Sequence, residues 1–267
     1  MKKALFLSLL LLSTAFLSQA QSLKKTLELK MPKTVDDDMP GTRGAALVWH
    51  PEQKKFYAAF AGNSAYPLGV FDVKGKLLNA DLTTMVDTRG LWYDPATKAI
   101  SGNGYSDIGW FTYKLDKQGF PLDYTITLEG ENQPDEQSVG TYNPLNKMVL
   151  FYADAFVYML DNKAELKDSV IIHFGTTKEE DIDEEDDLYS SLDYNGTMIY
   201  TGIKGQELGF LNFEENQIEL YDIKSGLLKK TLQLPDDAPV EETFNFAYAN
   251  GYYWLFDMEA RTWIGYK

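Results

Sequence analysis

The sequence predicts an all-β fold: a five-bladed β-propeller, closed by the N-terminal strand, forming a single domain over residues 21–267. Three observations carry that reading. First, a seven-residue phrase occurs twice, as Leu23-Lys-Lys-Thr-Leu-Glu-Leu29 and as Leu228-Lys-Lys-Thr-Leu-Gln-Leu234. The later copy follows a strand and a tight turn, so it reads as the outer half of a hairpin. The early copy has no mate before it, and the C-terminal strand has none after it. Joining the two ends closes a ring and removes the sheet edges that termini otherwise expose. Second, a unit of small residues, an aromatic-ended strand, a turn and a second apolar strand recurs at spacings of 43, 49, 52 and 54 residues, measured between His50, Tyr93, Tyr142, Tyr194 and Tyr248. Third, no segment carries a helical apolar period, and 17 tyrosines with 15 phenylalanines favour strands.

The elements follow in order. Inner hairpins are predicted at residues 45–60, 90–102, 139–152, 190–203 and 244–256. Third strands follow at 67–73, 108–115, 156–161, 217–223 and 262–267, and outer strands at 77–84, 122–128, 166–172 and 228–234. The fifth outer strand comes from the other terminus, at residues 23–29. Gly75, Gly119, Asn162 and Gly226 supply the tight turns between third and fourth strands. Small residues at the starts of inner strands, Ala45, Ala46, Gly90, Ser138, Gly140, Ser190 and Ser191, suit a crowded central axis. The alternative is six blades, because Glu207-Leu-Gly-Phe-Leu-Asn-Phe213 could belong to an extra hairpin; the five-blade reading makes it an inserted loop.

Residues 1–20 read as a signal peptide: Lys2 and Lys3, an apolar run from Ala4, then small residues at Ser18 and Ala20 before Gln21. The run is shorter than the ~20 residues a membrane span needs, so a secreted or periplasmic chain is expected, without membrane insertion after cleavage. The full chain has a formal charge of −15. Cleavage removes two lysines and no acid, leaving 23 basic against 40 acidic residues and a charge of −17. A field of that sign repels nucleic acid and anionic lipid. There is no cysteine, which excludes disulfides and thiol catalysis, and the two histidines, His50 and His173, give little support to a Ser-His-Asp triad or a transition-metal centre.

The turn phrases His50-Pro-Glu-Gln-Lys-Lys-Phe56, Tyr93-Asp-Pro-Ala-Thr-Lys-Ala99, Tyr142-Asn-Pro-Leu-Asn-Lys-Met148 and Tyr194-Asn-Gly-Thr-Met-Ile-Tyr200 resemble the inner hairpin turns of secreted bacterial β-propellers of the TolB-like and NHL/YncE-like kinds. The resemblance spans nearly all of residues 21–267 and implies the fold alone. Ser191-Leu-Asp193-Tyr-Asn195-Gly-Thr197-Met198 resembles the Asp-box of sialidase-type propellers but occurs once and reads as a turn.

In this architecture the loops entering the innermost strands and those joining second to third strands share one face around the channel. All three arginines fall there, two within a repeated Thr-Arg-Gly. Arg43, Asp87, Arg89, Glu136, Asp187 and Glu242 are the expected polar contacts, with Tyr66 and Tyr105 as stacking platforms, for a protein or small polar ligand. The competing reading is solvated loop charges paired with one another. The acidic run Glu179 to Asp187 offers hard oxygen ligands for calcium at Asp181, Asp183 and Glu185, against the plainer reading of a solvated loop; no other cofactor is implied. The functional expectation is therefore an exported, non-enzymatic binding propeller. The alternative is a carbohydrate-active hydrolase using carboxylates at the channel mouth.

Overall fold

The computed structural model describes residues 21–34, 43–182 and 191–267. The described chain enters through β1 (Gln21–Ser22) and β2 (Lys25–Lys30), then winds through five sheets. Blade 1 is β3 (Gly44–His50), β4 (Lys55–Phe60), β5 (Leu68–Asp72) and β6 (Leu77–Asn79). Blade 2 is β7 (Thr88–Asp94), β8 (Ala99–Gly104), β9 (Trp110–Leu115) and β10 (Pro121–Leu128). Blade 3 is β11 (Thr141–Asn143), β12 (Met148–Ala153), β13 (Phe156–Leu160) and β14 (Leu166–Ile171). Blade 4 is β15 (Ile199–Tyr200), β16 (Leu208–Asn212), β17 (Gln217–Tyr221) and β18 (Leu228–Gln233). Blade 5 is β19 (Phe246–Ala249), β20 (Tyr252–Asp257) and β21 (Thr262–Tyr266), completed by β2.

The closure is the one the repeated phrase predicts. β2 pairs antiparallel with β21, setting Leu29 against Trp263, and Lys24 and Lys267 exchange both backbone hydrogen bonds at 3.0 Å. β1 runs parallel to β18, pairing Gln21 with Leu232, so the N-terminal segment bridges the last two blades.

Turn chemistry explains the regularity of the outer hairpins. Asp72 ends its third strand, Asp116, Asp161 and Asp222 directly follow theirs, and each accepts backbone N–H bonds from the turn. The left-handed residue of each turn is Gly75, Gly119, Ala164 or Gly226, so in blade 3 it is Ala164 rather than the expected Asn162. At Gly226 a Cβ would lie within 1.8 Å of the Ile171 carbonyl oxygen, which no side chain could relieve.

Blade 4 departs from the expected register. Residues 191–203 form no hairpin: Ser191–Asp193 is a single 3-10 turn, and the innermost strand is only Ile199–Tyr200. The segment read as an inserted loop, or as a sign of a sixth blade, is instead the second strand, with Leu208 opposite Tyr221 and Gly209 opposite Ile199. The aromatic residues at the last or next-to-last position of the innermost strands are accordingly Trp49, Tyr93, Tyr142, Tyr200 and Tyr248, in place of the set containing His50 and Tyr194. Tyr194 lies in the core, its hydroxyl donating to Glu219 Oε2 at 2.8 Å. His50 is 2% exposed and joins blades 1 and 2, with Nε2 3.2 Å from the Lys98 carbonyl oxygen and its ring 4.7 Å from Tyr93.

Each seam between blades holds its own apolar cluster. Across the closing seam, between blades 5 and 1, Phe56 meets Trp254 and Phe60 meets Phe256 edge to face at 5.2 and 5.3 Å. At the axis the blades touch through backbone: a Cβ on Gly90 would lie 2.4 Å from the Gly140 carbonyl oxygen.

Candidate functional site

Two buried asparagines hold the loops that enter the innermost strands. Asn103 on β8 donates through Nδ2 to the Ser138 carbonyl at 2.8 Å and accepts from the Gly140 N–H at 3.0 Å, fixing the loop into blade 3. Asn195 does the same for blade 5, donating to the carbonyls of Glu241 and Phe244 at 2.7 and 2.8 Å. Both are 0% exposed, which rules out glycan attachment at the Asn195-Gly-Thr197 sequon in the folded chain. Sequence reasoning missed Asn103, which sits inside a strand, and took Asn195 for a local turn.

These anchors place two clusters on the face. The first is built on Arg89, 4% exposed, which pairs with Asp87, donates from Nε to Gln137 Oε1 at 2.8 Å, and stacks 4.6 Å over the Tyr105 ring. Its other face lies 5.6 Å from Phe244. The Glu136 carboxylate accepts a hydrogen bond from the Tyr105 hydroxyl, which raises the phenol above its ordinary pKa. Asp87 also accepts from the Gly62 N–H at 2.8 Å. Asp87, Arg89, Tyr105 and Glu136 thus form one network, in which Nε and Nη1 of Arg89 and the Tyr105 face are used within the protein.

The second cluster centres on Arg43. Its exposed guanidinium makes no ion pair or side-chain hydrogen bond among the described residues. Arg43 lines a cavity of about 730 Å³ with Asp135, Tyr152, Asp154, Thr197 and Phe244. It also borders a neighbouring hollow of about 410 Å³ containing Glu241 and Glu242. The cavity draws on the entering loops of blades 1, 3, 4 and 5 and on the second-to-third loop of blade 3, so the expected face is the one that opens. Phe244 and Asn245 are consecutive left-handed residues, with φ of 54° and 59°. Such conformations cost about 1–3 kcal/mol each and gather at functional sites. The Thr197 hydroxyl and both amide atoms of Asn245 are buried without a hydrogen-bond partner. Buried polar groups are nearly always paired, so this region holds unused hydrogen-bonding capacity. Tyr152 adds an aromatic wall, its phenol pushed up to about 12 by burial.

Of the residues expected from sequence, then, Arg43 and Glu242 meet at one hollow, and Asp87, Arg89, Tyr105 and Glu136 meet in one network. Tyr66 packs against the apolar cluster of the closing seam. Asp187 lies outside the described residues, as do Asp183 and Glu185 of the calcium expectation; Asp181 ends a short 3-10 helix, Glu179–Asp181. Among the described residues no three acids or histidines come together as metal ligands. Arg261 is turned inward, stacking 4.7 Å over Phe60 and donating to the Pro32 carbonyl at 3.0 Å. Among the described residues no helix is long and apolar enough to cross a membrane.

Fold and mouth together define a five-bladed β-propeller with an open, polar cavity at one end of its channel. No family model matches the sequence, and no curated protein matches it; the likeness to TolB-like and NHL/YncE-like chains therefore stays at the level of fold. Among solved structures the chain is similar to the glutaminyl cyclase of Myxococcus xanthus, with a TM-score of 0.58 and 9% identity over 93% of this chain and 97% of that one. This corrects the expectation of a non-enzymatic binding protein. An enzyme is built on the same frame over nearly its whole length, and here, among the described residues, the frame leaves an arginine without an ion partner and a buried, unpartnered hydroxyl at an open cavity. The expectation rested on missing sequence fingerprints, which a propeller site assembled from several loops does not leave.

Proposed function

We propose that this protein is an exported enzyme, its leader removed before Gln21, that works at the channel mouth on the amide-bearing end of a peptide. The first substrate class to test is a peptide with an N-terminal glutamine. The reading rests on one observation: the guanidinium of Arg43, which has no ion pair among the described residues, shares a single cavity of about 730 Å³ with the carboxylates of Asp135 and Asp154. The likeness to a glutaminyl cyclase supplies the chemistry to try, and the mouth supplies the groups that chemistry needs.

In such a ring closure the substrate α-amine attacks the γ-carboxamide carbon, a C–N bond forms, and the carboxamide nitrogen leaves as ammonia. One proton must pass from the attacking to the departing nitrogen, and a carboxylate at Asp135 or Asp154 relays it. Negative charge builds on the carboxamide oxygen, where the planar donors of Arg43 stabilise it. Tyr152 and Phe244 give the substrate an aromatic wall and displace water.

The test is ammonia release from glutamine-initiated peptides by the purified mature protein, with Arg43→Ala and Asp154→Asn as variants. Release that falls by about a hundredfold in Arg43→Ala, at unchanged melting temperature, fits the loss of one oxyanion donor. Absence of release from the folded protein overturns the reading, and cleavage of chromogenic glycosides instead would establish the carbohydrate-active alternative.

A further inference from the structure

The opposite end of the channel is built on different chemistry. Each innermost strand carries an aromatic residue there at its last or next-to-last position, and Trp49, Tyr93, Tyr142, Tyr200 and Tyr248 line one cavity of about 230 Å³. Each ring also packs against the apolar cluster between its own blade and the preceding one. That packing accounts for aromatic bulk at these positions. It does not account for four of the five being tyrosines, nor for the hydroxyl of Tyr200, which is buried without a hydrogen-bond partner although the residue is 9% exposed. A tyrosine hydroxyl desolvated in this way ordinarily has a partner.

The charge at the rim narrows the class of ligand. Asp94 lies beside the ring, 3.4 Å from the Tyr142 hydroxyl; it accepts from the Ala96 N–H and the Thr97 hydroxyl of its own turn, and among the described residues it pairs with no cation. Lys98, in the same turn, is engaged 2.8 Å away by Glu52. Aromatic residues brought to one cavity from five strands, a carboxylate with no ion partner among the described residues and an acidic chain favour a weakly hydrated organic cation. The cavity is smaller than the ~300–1,000 Å³ of sites for drug-sized molecules, a size that suits a compact head group.

We propose that this ring is a second binding site, for a quaternary ammonium group held against the aromatic rings and balanced by Asp94. It is separate from the mouth and does not rest on the activity proposed there. Calorimetric titration of the mature protein with choline and with tetramethylammonium tests it, against 3,3-dimethylbutanol, the neutral carbon analogue of choline, at matched ionic strength. The expected result is saturable binding of both cations and at least tenfold weaker binding of the alcohol. Tyr93→Leu should weaken the cations at least tenfold. Asp94→Asn, which removes charge while nearly keeping shape, should weaken them at least threefold even if the leucine variant fails to fold. Arg43→Ala should leave them unchanged. No saturable binding overturns the proposal, and so does equal binding of the neutral alcohol, which would mark the ring as an apolar crevice.

Discussion

The guanidinium of Arg89 lies 4.6 Å over the ring of Tyr105, and that ring is held by its hydroxyl to Glu136. The arginine comes from the loop entering blade 2 and the glutamate from the loop entering blade 3, so the stack ties two blades together at the mouth. With Asp87 as ion partner and Gln137 and the Thr88 carbonyl as acceptors, Arg89 has its Nε and Nη1 donors engaged and its charge balanced in a nearly closed site. Truncating it leaves Asp87 unpaired. Arg89→Ala should cost about 2–3 kcal/mol, below the range for a fully buried pair because Asp87 retains some solvent. Arg89→Lys should recover less than half of that, since an ammonium lacks the planar fork. Urea unfolding of the three proteins measures both.

Closure of the ring makes a separate prediction. Leu29 is fully buried against the closing seam and sits opposite Trp263 across the strand pair. Leu29→Ala should lower stability by about 3 kcal/mol, the usual cost of a core cavity of that kind. Deleting residues 22–30 should cost more, because it also exposes the whole edge of β21. An unchanged melting temperature after that deletion would mean that the N-terminal strand does not hold the ring.

Why the closure was legible and parts of the mouth were not has a physical basis. Leu23 to Leu29 duplicates Leu228 to Leu234 because both face the same demands, as outer strands with one half-buried face. Blade 4 misled because Asn195-Gly196 has the form of a hairpin turn, whereas the Asn195 amide is committed to the carbonyls of Glu241 and Phe244, some fifty residues on. Local sequence cannot report a hydrogen bond of that range. Arg89 read as a ligand donor for a related reason. Its burial depends on Tyr105 and Phe244, and Phe244 reaches it through a left-handed backbone at a residue that carries no turn signature. Arg43 carries the same Thr-Arg-Gly signature as Arg89 yet stands exposed, so the motif marks the loop and the neighbours decide the role.

Gly90 and Gly140 test the crowding of the axis. A Cβ at Gly90 would meet the Gly140 backbone carbonyl at 2.4 Å and Asn103 Oδ1 at 2.5 Å, and neither can withdraw without breaking the bonds that fix the loop into blade 3. Gly90→Ala should therefore cost about 3 kcal/mol, at the upper end for an overpacked site. Gly196, with open space around its Cα, should accept alanine within about 0.5 kcal/mol. Comparing the two melting temperatures separates axial crowding from a general sensitivity of the entering loops.

The tyrosines set the alkaline limit of the fold. Burial pushes the phenols of Tyr142, Tyr152 and Tyr266 up to about 12, and those of Tyr57, Tyr113, Tyr194, Tyr221 and Tyr253 higher still. An unfolded chain ionises its tyrosines near pH 10. Each raised phenol therefore contributes stability that is fully present below about pH 10 and is lost as pH climbs toward its folded value. At Tyr194 and Tyr221 the loss is sharpened by Glu219, whose carboxylate accepts from both hydroxyls and repels either phenolate. The melting temperature should hold steady to about pH 9 and fall by on the order of 10 °C by pH 11. Phenolate absorbance should then appear in two waves, an early one from exposed tyrosines and a late one coincident with unfolding. A single early wave, with the fold intact, would show that the buried rings ionise freely and carry no such linkage.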